Sequence, residues 1–90
     1  MLKSLEELVK IIRERKILNS EKSYTSQLLN NKKMCIGKVN EEITELIDAI
    51  EKNTNKVHEA ADVLYHLMVL LEANEIKIEE VMDELKKRKK

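Results

Sequence analysis

The apolar residues of this chain recur at spacings of three and four, the period of a helix with one buried face. Leu5, Leu8 and Ile12 begin the pattern, with Glu and Lys between them. The period is lost around Asn19 and Ser20, which predicts a turn. Five helices are predicted, from Leu2 to about Ile17, Ser23 to about Asn30, Lys33 to Glu51, Lys56 to Ala73 and Ile78 to about Arg88. We therefore expect an all-α bundle of four to five helices.

The fourth predicted helix is apolar almost all round from Val63 to Leu71, where His66 interrupts the run. Such a helix must be covered on more than one side. The chain has 90 residues, which suits a single domain over residues 1–90, and so short a chain buries only about 60–65% of its unfolded surface. We therefore predict that dimerisation completes the bundle, as a homodimer.

Composition argues against several classes of function. The chain has no proline and one glycine, which argues against a strand-rich fold with tight turns. Its 17 basic and 17 acidic residues give no net field, so neither nucleic acid nor a membrane surface is an expected partner. The longest apolar run is about half the length that crosses a bilayer, and no signal-peptide pattern opens the chain. A single cysteine, Cys35, suits the reducing cytoplasm.

An acidic run lies on the third predicted helix. Glu41, Glu42 and Glu45 share one face, because residues three or four apart are neighbours on a helix. At about 100° per residue, Glu42 and Glu45 lie roughly 60° apart, at the border of the apolar stripe. Taken alone, the run fits a solvated helix face, because Glu is common on helix surfaces.

A second acidic pair changes this interpretation. Glu59 and Asp62, again three apart, lie on the helix that is otherwise apolar all round. Carboxylates near an apolar core repel one another and lose hydration, which is costly unless a cation compensates. Oxygen ligands without cysteine or paired histidines select Mg²⁺ or Mn²⁺ over zinc. Because Mg²⁺ commonly shares its shell with substrate phosphates, the pattern indicates phosphate chemistry.

Three aromatic or imidazole side chains complete the candidate chemistry. His66 lies one turn after Asp62, where it can orient that carboxylate or contact a substrate phosphate; a histidine satisfied within the core fits equally well. Tyr65 is its neighbour, and Tyr24 is the only other aromatic residue. The two tyrosines do not form the stacking platform of a single-strand nucleic-acid binder.

Four segments carry a resemblance to a known family. They are Arg15-Lys16, Ser23-Tyr24-Thr25, Lys38 to Glu45 and Glu59 to Leu71. In order and nearly in spacing, they resemble the phosphoribosyl-ATP pyrophosphatases, over residues 2–88. The two acidic motifs are shared with the wider MazG-like all-α nucleotide pyrophosphohydrolases, whereas the Ser-Tyr-Thr segment and the Tyr-His dipeptide narrow the resemblance. Two departures are Asn40, where the family usually has glycine, and a segment between Thr25 and Lys38 that is one residue shorter.

The resemblance implies a MazG-like bundle that hydrolyses phosphoribosyl-ATP to phosphoribosyl-AMP and pyrophosphate, the second step of histidine biosynthesis. Glu42, Glu45, Glu59 and Asp62 are then expected to hold the principal Mg²⁺. Glu41 is expected to help hold a second ion or to accept a proton from the attacking metal-bound water. Glu41 and Glu42 are accordingly the predicted catalytic pair.

The resemblance also implies a set of substrate-binding residues. Its cationic members are candidates for phosphate contacts, and its hydroxyl-bearing members are candidate hydrogen-bond donors. The predicted set is Arg15, Lys16, Ser23, Tyr24, Thr25, Lys38, Tyr65 and His66.

Two other functions remain open from the sequence. A housecleaning pyrophosphohydrolase would use the same carboxylates on a non-standard nucleoside triphosphate. A non-catalytic helical dimerisation module would need the acidic residues only to solvate two surfaces. Substrate preference separates the first reading from phosphoribosyl-ATP hydrolysis, and a response to Mg²⁺ separates the second.

Overall fold

The computed structural model describes residues 2–18 and 22–89, and this part of the chain is helical with short connections. The five helices are α1 (Lys3–Leu18), α2 (Tyr24–Leu29), α3 (Lys32–Lys52), α4 (Lys56–Ala73) and α5 (Ile78–Lys87). They confirm the predicted all-α class, and each bound matches the predicted one or differs from it by one residue. The turn predicted at Asn19 and Ser20 lies outside the described residues.

A short turn joins the two longest helices into an antiparallel hairpin. The backbone is left-handed at Asn53 (φ 56°) and Asn55 (φ 42°), a conformation that asparagine tolerates better than most residues. Asn53 caps α3 through its backbone N–H, which donates to the carbonyls of Ala49 and Ile50. Asn55 precedes α4 without a side-chain cap bond. The turn places the acidic residues of α3 beside those that begin α4.

The core lies where α1, α2 and the start of α3 pack on the second half of α4. It contains Val9, Ile12, Leu28, Cys35, Met68 and Val69. Cys35 is fully buried, and burial raises the pKa of its thiol. This cysteine therefore fills space in the core and has no role at the surface.

The other side of the α3–α4 hairpin carries an uncovered apolar stripe, here called the apolar edge. Its members have between 40% and 86% of their surface exposed, and they are Ile36, Ile43, Ile47, Ile50, Val57 and Leu64. Ile50 and Val57 lie at similar distances from the turn, as do Ile43 and Leu64. Ile36 and Ile43, and likewise Val57 and Leu64, are seven residues apart and share one face of their helix, so these side chains form stripes and are not scattered.

A cluster of paired charges, here called the ion cluster, joins α1 to the end of α4 and to α5. Arg13 Nε lies 3.2 Å from Glu72 Oε2, and both Nη atoms of Arg13 donate to Glu79, at 2.9 and 2.6 Å. Lys16 Nζ donates to the Glu72 carbonyl at 2.9 Å and lies 3.2 Å from Glu75 Oε1. No residue of α5 is buried, and this helix is held by the Arg13–Glu79 pair and by half-buried Ile78, which packs against the core.

No helix in residues 2–18 and 22–89 has the length and apolar character needed to span a membrane.

Candidate metal centre between α3 and α4

Carboxylates from both helices of the hairpin converge on one place. Ligand oxygens of Glu42, Glu45 and Glu59 lie within 4.8 Å of one another. Glu59 also belongs to a second group, with His58 and Asp62, whose ligand atoms likewise lie within 4.8 Å of one another. We call Glu42, Glu45, Glu59 and Asp62 the acidic cluster. The structure thus brings together four of the five carboxylates predicted to bind metal.

Two oxygens of the acidic cluster are buried without a hydrogen-bond partner, and they are Glu42 Oε2 and Glu59 Oε2. Only 8% of the Glu42 surface is exposed. Loss of hydration raises the pKa of Glu42, and the neighbouring Glu45 raises it further. The pKa of Glu59 is raised by the same two causes. A dication would compensate this crowding, so the residues fit a hard metal ion with oxygen ligands.

Glu41 lies apart from the acidic cluster. Its side chain is exposed, and Oε2 is 3.4 Å from Lys38 Nζ. The hydrogen bond from Lys38 to Glu41 raises the pKa of Lys38. At about 100° around α3 from Glu42, Glu41 faces the solvent beside the cluster. The structure does not bring it into either group of close ligand atoms found among the described residues.

His66 connects the acidic cluster to α2. Its Nδ1 lies 2.8 Å from the Asp62 carbonyl oxygen, and its Nε2 lies 3.0 Å from the Tyr24 hydroxyl. A carbonyl only accepts, so Nδ1–H donates to Asp62, and in the neutral ring Nε2 accepts from Tyr24. The ring is 7% exposed. His66 is therefore satisfied within the fold and holds α2 against the Asp62 turn.

The residues of α2 form a second connection to α4. Thr25 Oγ1 hydrogen-bonds the Tyr65 hydroxyl, and the Tyr24 and Tyr65 rings stack with centroids 6.3 Å apart. Ser23 caps α2, since its Oγ accepts from the Ser26 N–H at 3.3 Å. The predicted Ser-Tyr-Thr segment therefore lies beside the Tyr65-His66 dipeptide.

The two basic residues predicted at the end of α1 occupy different places. The Arg15 carbonyl accepts a hydrogen bond from Ser26 Oγ at 3.3 Å, so Arg15 lies next to α2. Lys16 binds the C-terminal end of α4 through the Glu72 carbonyl. That end is about 20 Å along the helix from Glu59. The structure therefore does not bring Lys16 to the acidic cluster.

His58 lies near the acidic cluster but was not among the residues predicted from the sequence. His58 Nε2 lies 3.3 Å from Asp62 Oδ2, and the ring belongs to the same close group as Glu59. The signal was available, because His58 and Asp62 are four residues apart on one helix face. The predicted ligands are carboxylates only, because an exposed histidine four residues from an aspartate does not by itself distinguish a ligand from a surface pair.

The family model for phosphoribosyl-ATP pyrophosphohydrolase matches residues 5–89, nearly the whole chain. The chain belongs to this family. The phosphoribosyl-ATP pyrophosphatase of Clostridium novyi is 43% identical over 90 residues, with 96% of this chain and 81% of that protein covered. The enzyme of the same name from Methanocella arvoryzae is 40% identical, with 96% of each protein covered.

A longer relative contains this unit as one part. The histidine biosynthesis bifunctional protein HisIE of Pyrococcus furiosus is 44% identical over 90 residues, which cover 99% of this chain and 43% of that protein. The comparisons confirm the family that the acidic motifs and the Ser-Tyr-Thr segment indicated, and membership of this family makes the chain a hydrolase.

Proposed function

We propose that this chain binds phosphoribosyl-ATP and hydrolyses it to phosphoribosyl-AMP and pyrophosphate, as a cytoplasmic enzyme of histidine biosynthesis. Family membership and the names of its relatives support this substrate. The structural observation that carries the proposal is the acidic cluster, in which two buried carboxylate oxygens have no partner. A helical module without catalytic activity has no need for such an arrangement.

In this proposal Glu42, Glu45, Glu59 and Asp62 hold Mg²⁺, with Mn²⁺ as a possible substitute. The bound dication would supply charge neutralisation of phosphate oxygens and an activated water. Glu42 and Glu45 approach from α3 and Glu59 and Asp62 from α4. Rigid helices therefore fix the spacing of the carboxylates before any ligand arrives.

Glu41 and Lys38 act together at the exposed side of the cluster. Lys38 is partly exposed, so its ammonium can exchange Glu41 for a phosphate oxygen of the substrate. This exchange frees the Glu41 carboxylate to accept the proton of the attacking water, or to hold a second ion. Arg15 is a further phosphate contact, and Lys16, bound to the end of α4, has no part in this proposal.

The α2 segment binds the remainder of the substrate. Ser23 and Thr25 each make one hydrogen bond within the fold through the hydroxyl oxygen, and a hydroxyl can take part in more than one, so both can also bind the substrate. Tyr24 keeps 41% of its surface exposed. The hydroxyl groups of Tyr24 and Tyr65 bond to the fold, so these two residues contact the substrate through their rings. His66 is buried and acts by holding Tyr24 in place.

The proposal is tested by measuring pyrophosphate release from phosphoribosyl-ATP beside a panel of nucleoside triphosphates. We expect phosphoribosyl-ATP to be preferred. Glu42→Gln and Asp62→Asn should each lower the rate by more than about a hundredfold, because loss of even an outer-shell partner of a metal costs about 10- to 100-fold.

Asp48→Asn is the matched control, because Asp48 is an exposed carboxylate on α3 that pairs with Lys52 at 3.2 Å outside the cluster. Near-normal release in both cluster variants would refute the proposal. Preference for a non-standard nucleoside triphosphate would replace the substrate and leave the cluster in place.

We also propose that two copies of the chain associate through the apolar edge. Ile47 lies about 140–160° around α3 from Glu42 and Glu45, so a partner covers the edge without covering the acidic cluster. Ile47→Lys should convert a dimer to a monomer in sedimentation analysis. Exposed Lys33→Gln, on the same helix outside the edge, is the control. A wild-type monomer at micromolar concentration would contradict this assembly.

A further inference from the structure

We propose that His58 makes part of this metal centre a mixed nitrogen and oxygen site, which binds a transition dication such as Mn²⁺ or Zn²⁺ in preference to Mg²⁺. The site consists of His58, Glu59 and Asp62. The inference rests on the proposed function only in that Glu59 and Asp62 belong to the same acidic cluster.

The geometry of the three side chains fits one ion. Their ligand atoms lie within 4.8 Å of one another, and His58 Nε2 is 3.3 Å from Asp62 Oδ2. All three residues lie in the first two turns of α4, so the helix fixes their relative positions. An ion between them would replace the direct contact of the ring with the Asp62 carboxylate.

An independent observation shows that no hydrogen-bond donor among the described residues compensates two of these carboxylate oxygens. Glu42 is more than nine-tenths buried, its Oε2 has no partner, and its carboxylate lies within 4.8 Å of Glu59. Glu59 Oε2 is likewise buried and without a partner. Since Glu59 belongs to both groups of ligand atoms, an ion beside His58 would relieve the same uncompensated charge.

Ligand chemistry determines which ion this side of the centre prefers. An imidazole nitrogen suits zinc and other first-row transition metals, whereas Mg²⁺ prefers oxygen and keeps several waters. His58 therefore changes the selectivity of the centre more than its affinity for Mg²⁺. The ring is 72% exposed, so replacing it removes no core contact and the variant should fold.

Equilibrium binding of Mn²⁺ and Mg²⁺ to the metal-free chain, without substrate and at about pH 8, tests the proposal. His58→Gln should weaken Mn²⁺ binding by at least about tenfold and Mg²⁺ binding by less than about twofold. Lys56→Gln introduces the same side chain at an exposed position of the first turn of α4, outside both ligand groups and the apolar edge, and should change neither value by more than about twofold. Unchanged Mn²⁺ binding in His58→Gln, or an equal loss for both ions, would overturn the proposal.

Nitrogen-15 NMR provides a direct readout, because the chain has only two histidines. Addition of Zn²⁺ should shift the imidazole nitrogen signals of one of them, and His58→Gln should abolish that shift. A shift that persists in this variant, or no shift at all in the wild type, would refute coordination by His58. These measurements need no turnover, so they stand or fall separately from the hydrolysis of phosphoribosyl-ATP.

Discussion

Glu72 and Glu42 are two buried carboxylates of the same helical hairpin, 9% and 8% exposed, in opposite electrostatic surroundings. Glu72 accepts from Arg13, which also binds Glu79, in the ion cluster. Glu42 faces Glu45 and Asp62, and one of its oxygens has no partner. Burying a carboxylate costs several kcal/mol unless a cation compensates. Arg13 is that cation at Glu72, whereas Glu42 Oε2 has no hydrogen-bond partner among the described residues.

Carboxyl pKa values shift in opposite directions in the two regions, as these surroundings lead us to expect. The hydrogen bond from Arg13 lowers the pKa of Glu79 to about 2. Loss of hydration and the neighbouring Glu45 raise the pKa of both Glu42 and Glu59. The ion cluster therefore stabilises its charged state, and the acidic cluster opposes its own.

The largest expected difference between the regions is their response to Mg²⁺. At a concentration a hundredfold above its Kd, Mg²⁺ should stabilise the wild type by about 2.7 kcal/mol, since it binds the folded state only. For a domain of this size each kcal/mol raises the Tm by about 4–8 °C. Glu42→Gln should lose most of this shift in a thermal melt, and Glu72→Gln should keep it. Equal shifts in the two variants would remove the distinction between the regions.

Without metal we expect a smaller effect, in which Glu72→Gln, and not Glu42→Gln, is the destabilising substitution. In EDTA, Glu72→Gln should lower the free energy of unfolding by about 1.5 kcal/mol, the lower end for a charged hydrogen bond because Arg13 is partly exposed. Glu42→Gln should lower it less or raise it, since the amide removes repulsion with Glu45. Urea titrations measure both values. A loss in Glu42→Gln as large as in Glu72→Gln would show that the Glu42 carboxylate stabilises the fold.

The smallest expected effect is the change of folding stability with pH in the absence of metal. Glu79, with a pKa lowered from 4.5 to about 2, stabilises the fold above about pH 4.5, and this contribution is lost as pH falls toward 2. The pKa of Glu42 is raised, so its charge destabilises the metal-free fold near neutral pH, and acidification through that pKa relieves the penalty. In EDTA, the urea concentration at the unfolding midpoint should therefore rise as the pH is lowered from neutral and then fall as the pH approaches 2.

Two variants test which residue causes the rise in stability on acidification and which causes the later fall. Glu42→Gln should flatten the rise, and Glu79→Gln should flatten the fall. If both variants altered the same limb, the opposite electrostatics inferred for the two regions would be wrong.

Spacing along the chain was sufficient to predict the helices and most of the acidic cluster. Glu42 and Glu45, and likewise Glu59 and Asp62, are three residues apart, and such spacing fixes a shared helix face before any tertiary structure is known. The same rule included Glu41, which lies apart from the cluster beside Lys38. Spacing predicts which residues share a face of one helix. Which part of that face meets the next helix depends on how the helices pack.

Contacts between distant segments could not be predicted in this way. Lys16 and Arg13 are both basic residues of α1, yet their partners lie at the end of α4 and on α5. The hydrogen bond from Tyr24 to His66 likewise depends on how α2 packs against α4. Spacing also does not show which apolar residues of α3 become buried: Val39 is buried, whereas Ile43 and Ile47 belong to the apolar edge.

The burial of Cys35 makes site-specific labelling of this enzyme simple. The only thiol of the chain is enclosed by the core, and its raised pKa suppresses the reactive thiolate at neutral pH. A cysteine introduced at Gly37, where no atom lies within 4 Å of an added Cβ, would be the single accessible sulfhydryl. A fluorophore attached there sits next to Lys38 and one turn before Glu41, so its emission can follow the arrival and departure of a nucleotide in real time.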